Sequence, residues 1–254
     1  MKYKKVLLTG STGNLGKAIL NLPNFSSFLT PSRNTVDITK PNSIKFFFDK
    51  NDIDAVIHCA ALARMKECYS NPTKAIETNI IGTANLVAET IRKESKEEKS
   101  IRFIHISTDG VYEGKKGKYS EKDPTIPYNI YGWTKLGAEC SVKLLKNHCI
   151  IRTSFFDPNN IKFEESAKDA HTSKVTVDYL ANAIIMMLNN DFIGVINIGS
   201  ERKSDYEKYK KYKPSLKPCK FTDIQKTAPF PFAKDASMDC RLWKKIEAKY
   251  KINI

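Results

Sequence analysis

Three glycines spaced by three, Gly10, Gly13 and Gly16 in the run LLTGSTGNLGKAI over residues 7–19, constrain this chain more than any other feature. They follow an apolar strand pattern and open a helical one. After a strand, Gly10 permits a tight turn, Gly13 lets a pyrophosphate come up against backbone N–H groups, and Gly16 lets the new helix pack close to the sheet. The spacing predicts a dinucleotide at the positive N-terminus of the first helix, with Ser11, Thr12, Asn14 and Leu15 of the same turn beside it.

Beyond this turn, short apolar runs alternate with helical patterns. KVLLTG, SFLT, DAVIHCAA, IRFIHIST, CIIRTS and GVINIGS read as strands. NLGKAILNL, SIKFFFDKN, PTKAIETNIIGTANLVAETIRK, YGWTKLGAECSVKLL and VTVDYLANAIIMMLNN read as helices between them. That order predicts an α/β fold, a Rossmann-type doubly wound parallel sheet. The irregular stretch 157–173 and the Lys/Tyr/Pro-rich remainder 201–254 are expected to meet as a small C-terminal substrate lobe. Residues 1–156 and 174–200 then form the dinucleotide-binding domain. The lobe belongs over the carboxyl ends of the strands, where open α/β sheets bind ligands.

Composition removes other classes. With 254 residues and 41% hydrophobic content, the chain can bury a large core. No run approaches the roughly 18 apolar residues of a membrane helix, and MKYKKVLLTG turns glycine-rich too soon for a signal peptide. The expectation is a cytoplasmic protein without a membrane partner. Six scattered cysteines lack a CxxC pair and four histidines lack ligand spacing, so neither disulfides nor a metal site is expected. The net charge of +14 would draw anions, but it sits largely in solvated lysine runs. In DYEKYKKYKPSLK, Ser204 just upstream reads as a helix N-cap with tyrosines facing the sheet, and no nucleic-acid partner is expected.

The cofactor type is read at the end of the second strand. There an acidic residue would hold a ribose 2′-OH, and an arginine would accommodate a 2′-phosphate. SFLTPSRNTVDIT places Ser32 and Arg33 at that point, with Asp37 and Ile38 beyond, so NADP(H) is favoured over NAD(H). For proton transfer, YNIYGWTK supplies Tyr131 and Lys135 at i and i+4 on one helical face. The pairs Tyr112/Lys116, Tyr206/Lys210 and Tyr209/Lys213 share the spacing but open no helix after a sheet strand. HISTDG brings the hydroxyls of Ser107 and Thr108 to a strand's carboxyl end. An ammonium beside a phenol would lower the Tyr131 pKa toward working pH.

TGSTGNLG, VDIT, VIHCAA, NIIGTANL, HISTDGVYEG, DPTIPYNIYGWTK and IIRTS, in this order over residues 5–154, resemble the extended short-chain dehydrogenase/reductase family, most closely its dTDP-4-dehydrorhamnose reductase-like branch. The resemblance implies reduction of a keto sugar linked to a nucleotide, in surface polysaccharide synthesis. Thr108, Tyr131 and Lys135 would be the catalytic set. Cys59, Ala60, Ala61 and Asn79 would line the cofactor, and the segment after Arg152 would approach the nicotinamide. Thr108 and Asp109 would meet the substrate, with His171 and Arg241 as further candidates. It also implies a homodimer paired through the Tyr–Lys helix.

Two departures from the family pattern matter. Dehydratases of the family carry an Asp-Glu pair after the catalytic threonine, whereas Asp109 is followed here by Gly110, which suits a simple reductase. The interval between RTSFFD and VTVDYLANAI is only 17 residues, much shorter than in reductases of the branch. That keeps open a non-catalytic, NADP-binding regulatory subunit, as in methionine adenosyltransferase, beside a reductase or an epimerase.

Overall fold

The alternating pattern closes into one parallel sheet. The computed structural model describes residues 2–23 and 28–252; Ser27 of SFLT, and residues 1 and 253–254 of the expected domains, lie outside the described residues. Strands β1 (Val6–Thr9), β2 (Phe28–Leu29), β3 (Ala55–His58), β4 (Arg102–Ile106), β5 (His148–Thr153) and β6 (Gly194–Ile198) stand in the order β6-β5-β4-β3-β1-β2. Every neighbouring pair is parallel. The chain direction of winding reverses at β1, which has β2 on one side and β3 on the other, so a crevice opens at the carboxyl ends of β1 and β3.

The faces are covered by helices α1 (Asn14–Leu20), α2 (Pro41–Lys50), α3 (Gly82–Glu97), α4 (Ile130–Val142), α5 (Val177–Asn189) and α6 (Arg241–Ile252). Successive strand residues point to opposite faces. Val6, Leu8, Ile57, Ile104 and Ile151 pack with residues of α1, α5 and α6. Leu7, Val56, Phe103 and Ile150 pack with residues of α2, α3 and α4. Each such fully buried aliphatic side chain contributes about 1.5–3 kcal/mol.

Local signals set the helix starts. Asn129 caps α4 by accepting from the Gly132 N–H at 2.8 Å, and Thr176 caps α5. Ser204 caps the short helix Asp205–Lys210 in a reciprocal box with Glu207, as its sequence suggests. The run expected as one long helix forms Pro72–Ala75, a π-helical turn Ile76–Ile81, and α3 without a break. At the wide turn the Thr83 hydroxyl donates to the Asn79 carbonyl at 2.7 Å.

Two small ribbons interleave the two stretches assigned to the lobe, Glu165–Ala167 with Lys217–Cys219 and His171–Thr172 with Lys203–Ser204, and a third, Phe155–Phe156 with Val175–Thr176, closes the base of the first stretch beside the end of β5. Tyr209 is buried between Phe156 and Phe163, with ring centroids 4.9 and 4.8 Å away. One element departs from the expected partition: α6 lies against β6 and α5. Trp243 is buried in the core there, and its indole N–H donates to the Tyr179 hydroxyl at 2.8 Å. An indole gains more from burial in that core than from exposure on a lobe surface. Among the described residues, no helix is long and apolar enough to cross a membrane.

Candidate active site

The opening glycines occupy three different environments. Gly10 has φ +73°, and a Cβ there would meet the Ala60 nitrogen at 2.6 Å. A Cβ on Gly16 would meet the Gly10 carbonyl oxygen at 2.3 Å and the Ser11 Cα at 2.6 Å. At Gly13 it would touch only the Gly10 oxygen, at 3.4 Å. Gly10 and Gly16 are therefore required by the backbone itself, whereas Gly13 leaves open space beside the first turn of α1, where no side chain caps the N–H groups. That cradle fits a diphosphate. Ser11 and Ala60 back the turn, and Thr12 is exposed.

A cleft of about 1180 Å³ runs from this turn to the lobe. Gly10, Gly13, Asn14, Leu15, Gly16, Cys59 and Ala61 line the end at the glycine turn, together with Lys135. Thr108, Asp109 and Tyr131 stand midway. Tyr128, Ser154, His171, Lys174, Asp205 and Tyr209 line the lobe end.

Strand parity explains what lies under α4. Phe103 faces the α4 side, so His105 and Ser107, two and four residues on, face it too; Arg152 follows Ile150 in the same way. On α4, Lys135 and Glu139 are one turn apart and meet them. Lys135 Nζ lies 3.4 Å from His105 Nε2. Glu139 accepts from Ser107 at 2.5 Å and from both Arg152 Nε and Nη2, at 3.0 and 2.7 Å. Arg152 also donates to the Tyr112 hydroxyl, which donates to Asn197. Burial lowers the Lys135 pKa to about 8 against the opposing pull of Glu139. Burial and the Lys135 charge hold His58 down to about 3, and His105 well below its usual range. Both imidazoles are neutral, His58 between the hydroxyls of Thr9 and Thr83 at 2.7 and 2.9 Å. The Cys59 thiol is pushed up to about 12 by burial.

Tyr131 stands beside Thr108, whose hydroxyl favours the ionised phenol. The expected lowering of its pKa by Lys135 is not what the structure contains: burial and the Asp109 carboxylate raise it, and the Lys135 ammonium is turned toward His105. Asp109 is itself pushed up to about 6, by burial first and by Asp205, against the lowering influence of Lys174 and of hydrogen bonds from Thr108 and Ser154.

The remaining candidates divide. Asp109 and His171 line the cleft. Arg241 does not reach it; its side chain is 85% exposed and paired with Asp239, because α6 begins on the sheet side. Asn79 is buried and stands behind the wall, where it accepts from the Leu62 N–H at 2.7 Å and donates to the Leu62 carbonyl and the Thr134 hydroxyl. It fixes the loop after β3 to α4. Past β2, Ser32 bonds Thr35, Ile38 is buried against Gly82, and exposed Arg33 lies 3.5 Å from Asp37. Sequence reading passed over Tyr128, Glu139, Lys174 and Asp205. Glu139 could have been found one turn after Lys135, and Tyr128 three residues before Tyr131; Lys174 and Asp205 are brought in by ribbon pairing that no local pattern announces.

A family model described as RmlD substrate binding domain matches residues 4–176. A probable low-salt glycan biosynthesis reductase of Haloferax volcanii is 36% identical over 122 residues, covering 47% of this chain and 39% of that one. The methionine adenosyltransferase 2 subunit beta of Mus musculus is 30% identical over 184 residues, covering 68% and 53%. The chain thus spans about half or less of the length of these curated relatives. The fold is shared with a dTDP-4-dehydrorhamnose reductase from Bacillus anthracis solved in complex with NADP, at TM-score 0.83 and 21% identity over 99% of both chains.

Proposed function

The chain belongs to the RmlD substrate binding domain family, and from that premise we propose that it is an NADPH-dependent reductase of a nucleotide-linked 4-keto-6-deoxy sugar, serving surface polysaccharide synthesis. The observation that carries this reading is the single cleft in which the glycine cradle, Lys135, and the Tyr131–Thr108 pair stand in sequence. When bound, the nicotinamide would supply hydride to the keto carbon, its diphosphate held by the Gly10–Gly16 turn. Tyr131 gives its proton to the carbonyl oxygen, and Thr108 hydrogen-bonds that oxygen as negative charge develops. Lys135, beside His105, holds the ribose hydroxyls. The reading includes residues 157–173 and the part of 201–254 before α6 as the substrate lobe, and a cytoplasmic setting in keeping with six free cysteines.

Arg33 supports NADPH over NADH. Its pair with Asp37 is a surface pair of little strength, so the guanidinium is available to a 2′-phosphate. Arg33→Ala raises the KM for NADPH about 10- to 100-fold, the loss of a charge-assisted hydrogen bond, and leaves the KM for NADH unchanged; equal effects on both in steady-state kinetics would remove Arg33 from this role.

A homodimer is part of the proposal. The adjoining faces of α4 and the π turn leave Trp133, Ile76 and Ile81 exposed, at 54, 44 and 46%, as apolar surface a second copy would cover. Analytical ultracentrifugation gives twice the 28.8 kDa chain mass for the native protein and the chain mass for Trp133→Glu.

The functional test is NADPH consumption with a panel of nucleotide-linked 4-keto-6-deoxy sugars. Turnover establishes the reductase, and isotopic exchange at carbons beside the keto group would mark epimerisation. A second reading is favoured by the similarity to the methionine adenosyltransferase subunit and by the 17-residue interval: NADPH bound tightly with no sugar turned over identifies a regulatory subunit.

A further inference from the structure

The cleft holds a carboxylate that the reductase chemistry does not use. Asp109 is only 7% exposed. Its Oδ1 accepts from the Thr108 hydroxyl at 3.1 Å, and that hydroxyl stands beside Tyr131, whose ionised form it favours. A single side chain thus stands between the phenol and a carboxyl group. The backbone holds the bridge in place: Thr108 Oγ1 accepts from the Gly110 N–H at 3.0 Å. Gly110 carries no side chain to fill the space beside it, where a Cβ would lie 3.3 Å from Thr108 Oγ1 and 3.8 Å from the Tyr128 hydroxyl.

The lobe acts on the other side of Asp109. Lys174 Nζ donates to Asp205 at 2.8 Å and lies 5.5 Å from the Tyr209 ring centroid. The charged and titratable groups facing Asp109 are Lys174 from the loop before the Val175–Thr176 strand, Asp205 and Tyr209 from the Asp205–Lys210 helix, Tyr128 from the loop before α4, and Tyr131 from α4. Lys174 stabilises the carboxylate and Asp205 opposes it.

We propose that Asp109 is a positioning residue that stores the proton for Tyr131 and delivers it through the Thr108 hydroxyl, with the Lys174–Asp205 pair of the lobe setting when that proton is held. The proposal deepens the reductase reading and rests on it for its kinetic part. After Tyr131 has transferred its proton to the carbonyl oxygen, the phenolate takes the Thr108 hydroxyl proton. Thr108 takes the proton of the Asp109 carboxyl, and the carboxylate left behind is recharged by a proton from water in the cleft. No net charge is gained beyond the one solvent proton that the reduction consumes.

The ordering of acidities makes this direction downhill: a carboxyl titrating near 6 gives its proton readily to a phenolate whose conjugate acid lies above the ordinary tyrosine range. Ionised Asp109 also makes Tyr131 a weaker acid by proximity of charge. Reduction is therefore supported with Asp109 protonated and declines as pH rises through about 6, while the reverse oxidation gains over the same interval.

The test uses the full chain labelled with ¹³C at tyrosine Cζ, the Tyr131 resonance being assigned by its loss in Tyr131→Phe. The Tyr131 resonance should show an inflection at the Asp109 midpoint that moves up in Lys174→Met, moves down in Asp205→Asn and vanishes in Asp109→Asn. The pH profile of NADPH consumption should move in the same two directions and lose that limb in Asp109→Asn, with unchanged KM for NADPH. A Tyr131 resonance that ignores Asp109, or lobe variants that shift the midpoint in one common direction, would overturn the proposal. Failure of every keto sugar to react would remove the reductase reading alone, since the resonance experiment needs no turnover.

Discussion

Tyr131→Phe lowers turnover of the keto sugar by about 10²- to 10⁴-fold, the range expected for loss of a general acid, with the NADPH dissociation constant within a factor of two or so of the native protein. The split follows from where the hydroxyl sits. It meets Thr108 midway along the cleft, whereas the cradle at Gly10–Gly16 and the Lys135 ammonium are separate groups. Removing one oxygen takes away the proton and leaves the ring packed in place. Thr108→Val should cost less, because a second donor to the developing oxyanion remains. Stopped-flow turnover together with calorimetry of NADPH binding checks both parts. A mutant that binds NADPH weakly as well as turning over slowly would mean that Tyr131 holds the fold of the site and does not act on the substrate.

Arg152→Met destabilises the protein by about 3–5 kcal/mol, the cost of breaking a buried ion pair from one side. Glu139 is fully buried and accepts two bonds from Arg152; without them it keeps only the Ser107 hydroxyl. Tyr112 loses a partner at the same time. The double variant Glu139→Gln/Arg152→Met should recover much of the loss, because the stranded charge is gone, and urea unfolding of the three proteins measures it. Arg152→Lys should rescue only partly, since an ammonium cannot reproduce the two-pronged contact. Equal instability of single and double variants would place the cost in packing. The network ends one turn from Lys135, so these variants also report how firmly α4 is seated.

Much of the fold was legible because its signals are local. The glycine turn, the apolar runs of β1, β3, β4 and β5, and the cap Ser204 each depend on a few neighbouring residues. The Tyr131–Lys135 spacing and the strand ending at Thr108 pointed to side chains that line one cleft. What sequence could not provide was the direction in which a side chain leans within a crowded interior. Lys135 shares a helix face with Tyr131, yet its ammonium lies against His105, a group brought near by strand parity and sheet order. Arg241 follows a basic pattern that suits a clamp, but Trp243 two residues on draws that helix into the core. Asn79 falls in a motif that resembles a cofactor contact, and the π turn places it behind the wall, gripping Leu62 and Thr134. Lys174 and Asp205 lie 31 positions apart and meet because the strands His171–Thr172 and Lys203–Ser204 pair in one ribbon.

The return of α6 to the sheet changes what kind of object the lobe is. Its strands are strung between β5 and α5 on one side and between β6 and α6 on the other, so it hangs from four points on a rigid platform. A flap fixed at one end sweeps a wide arc, whereas a canopy fixed at four can only bow. Any change in the width of this cleft has therefore to be shared among four attachments.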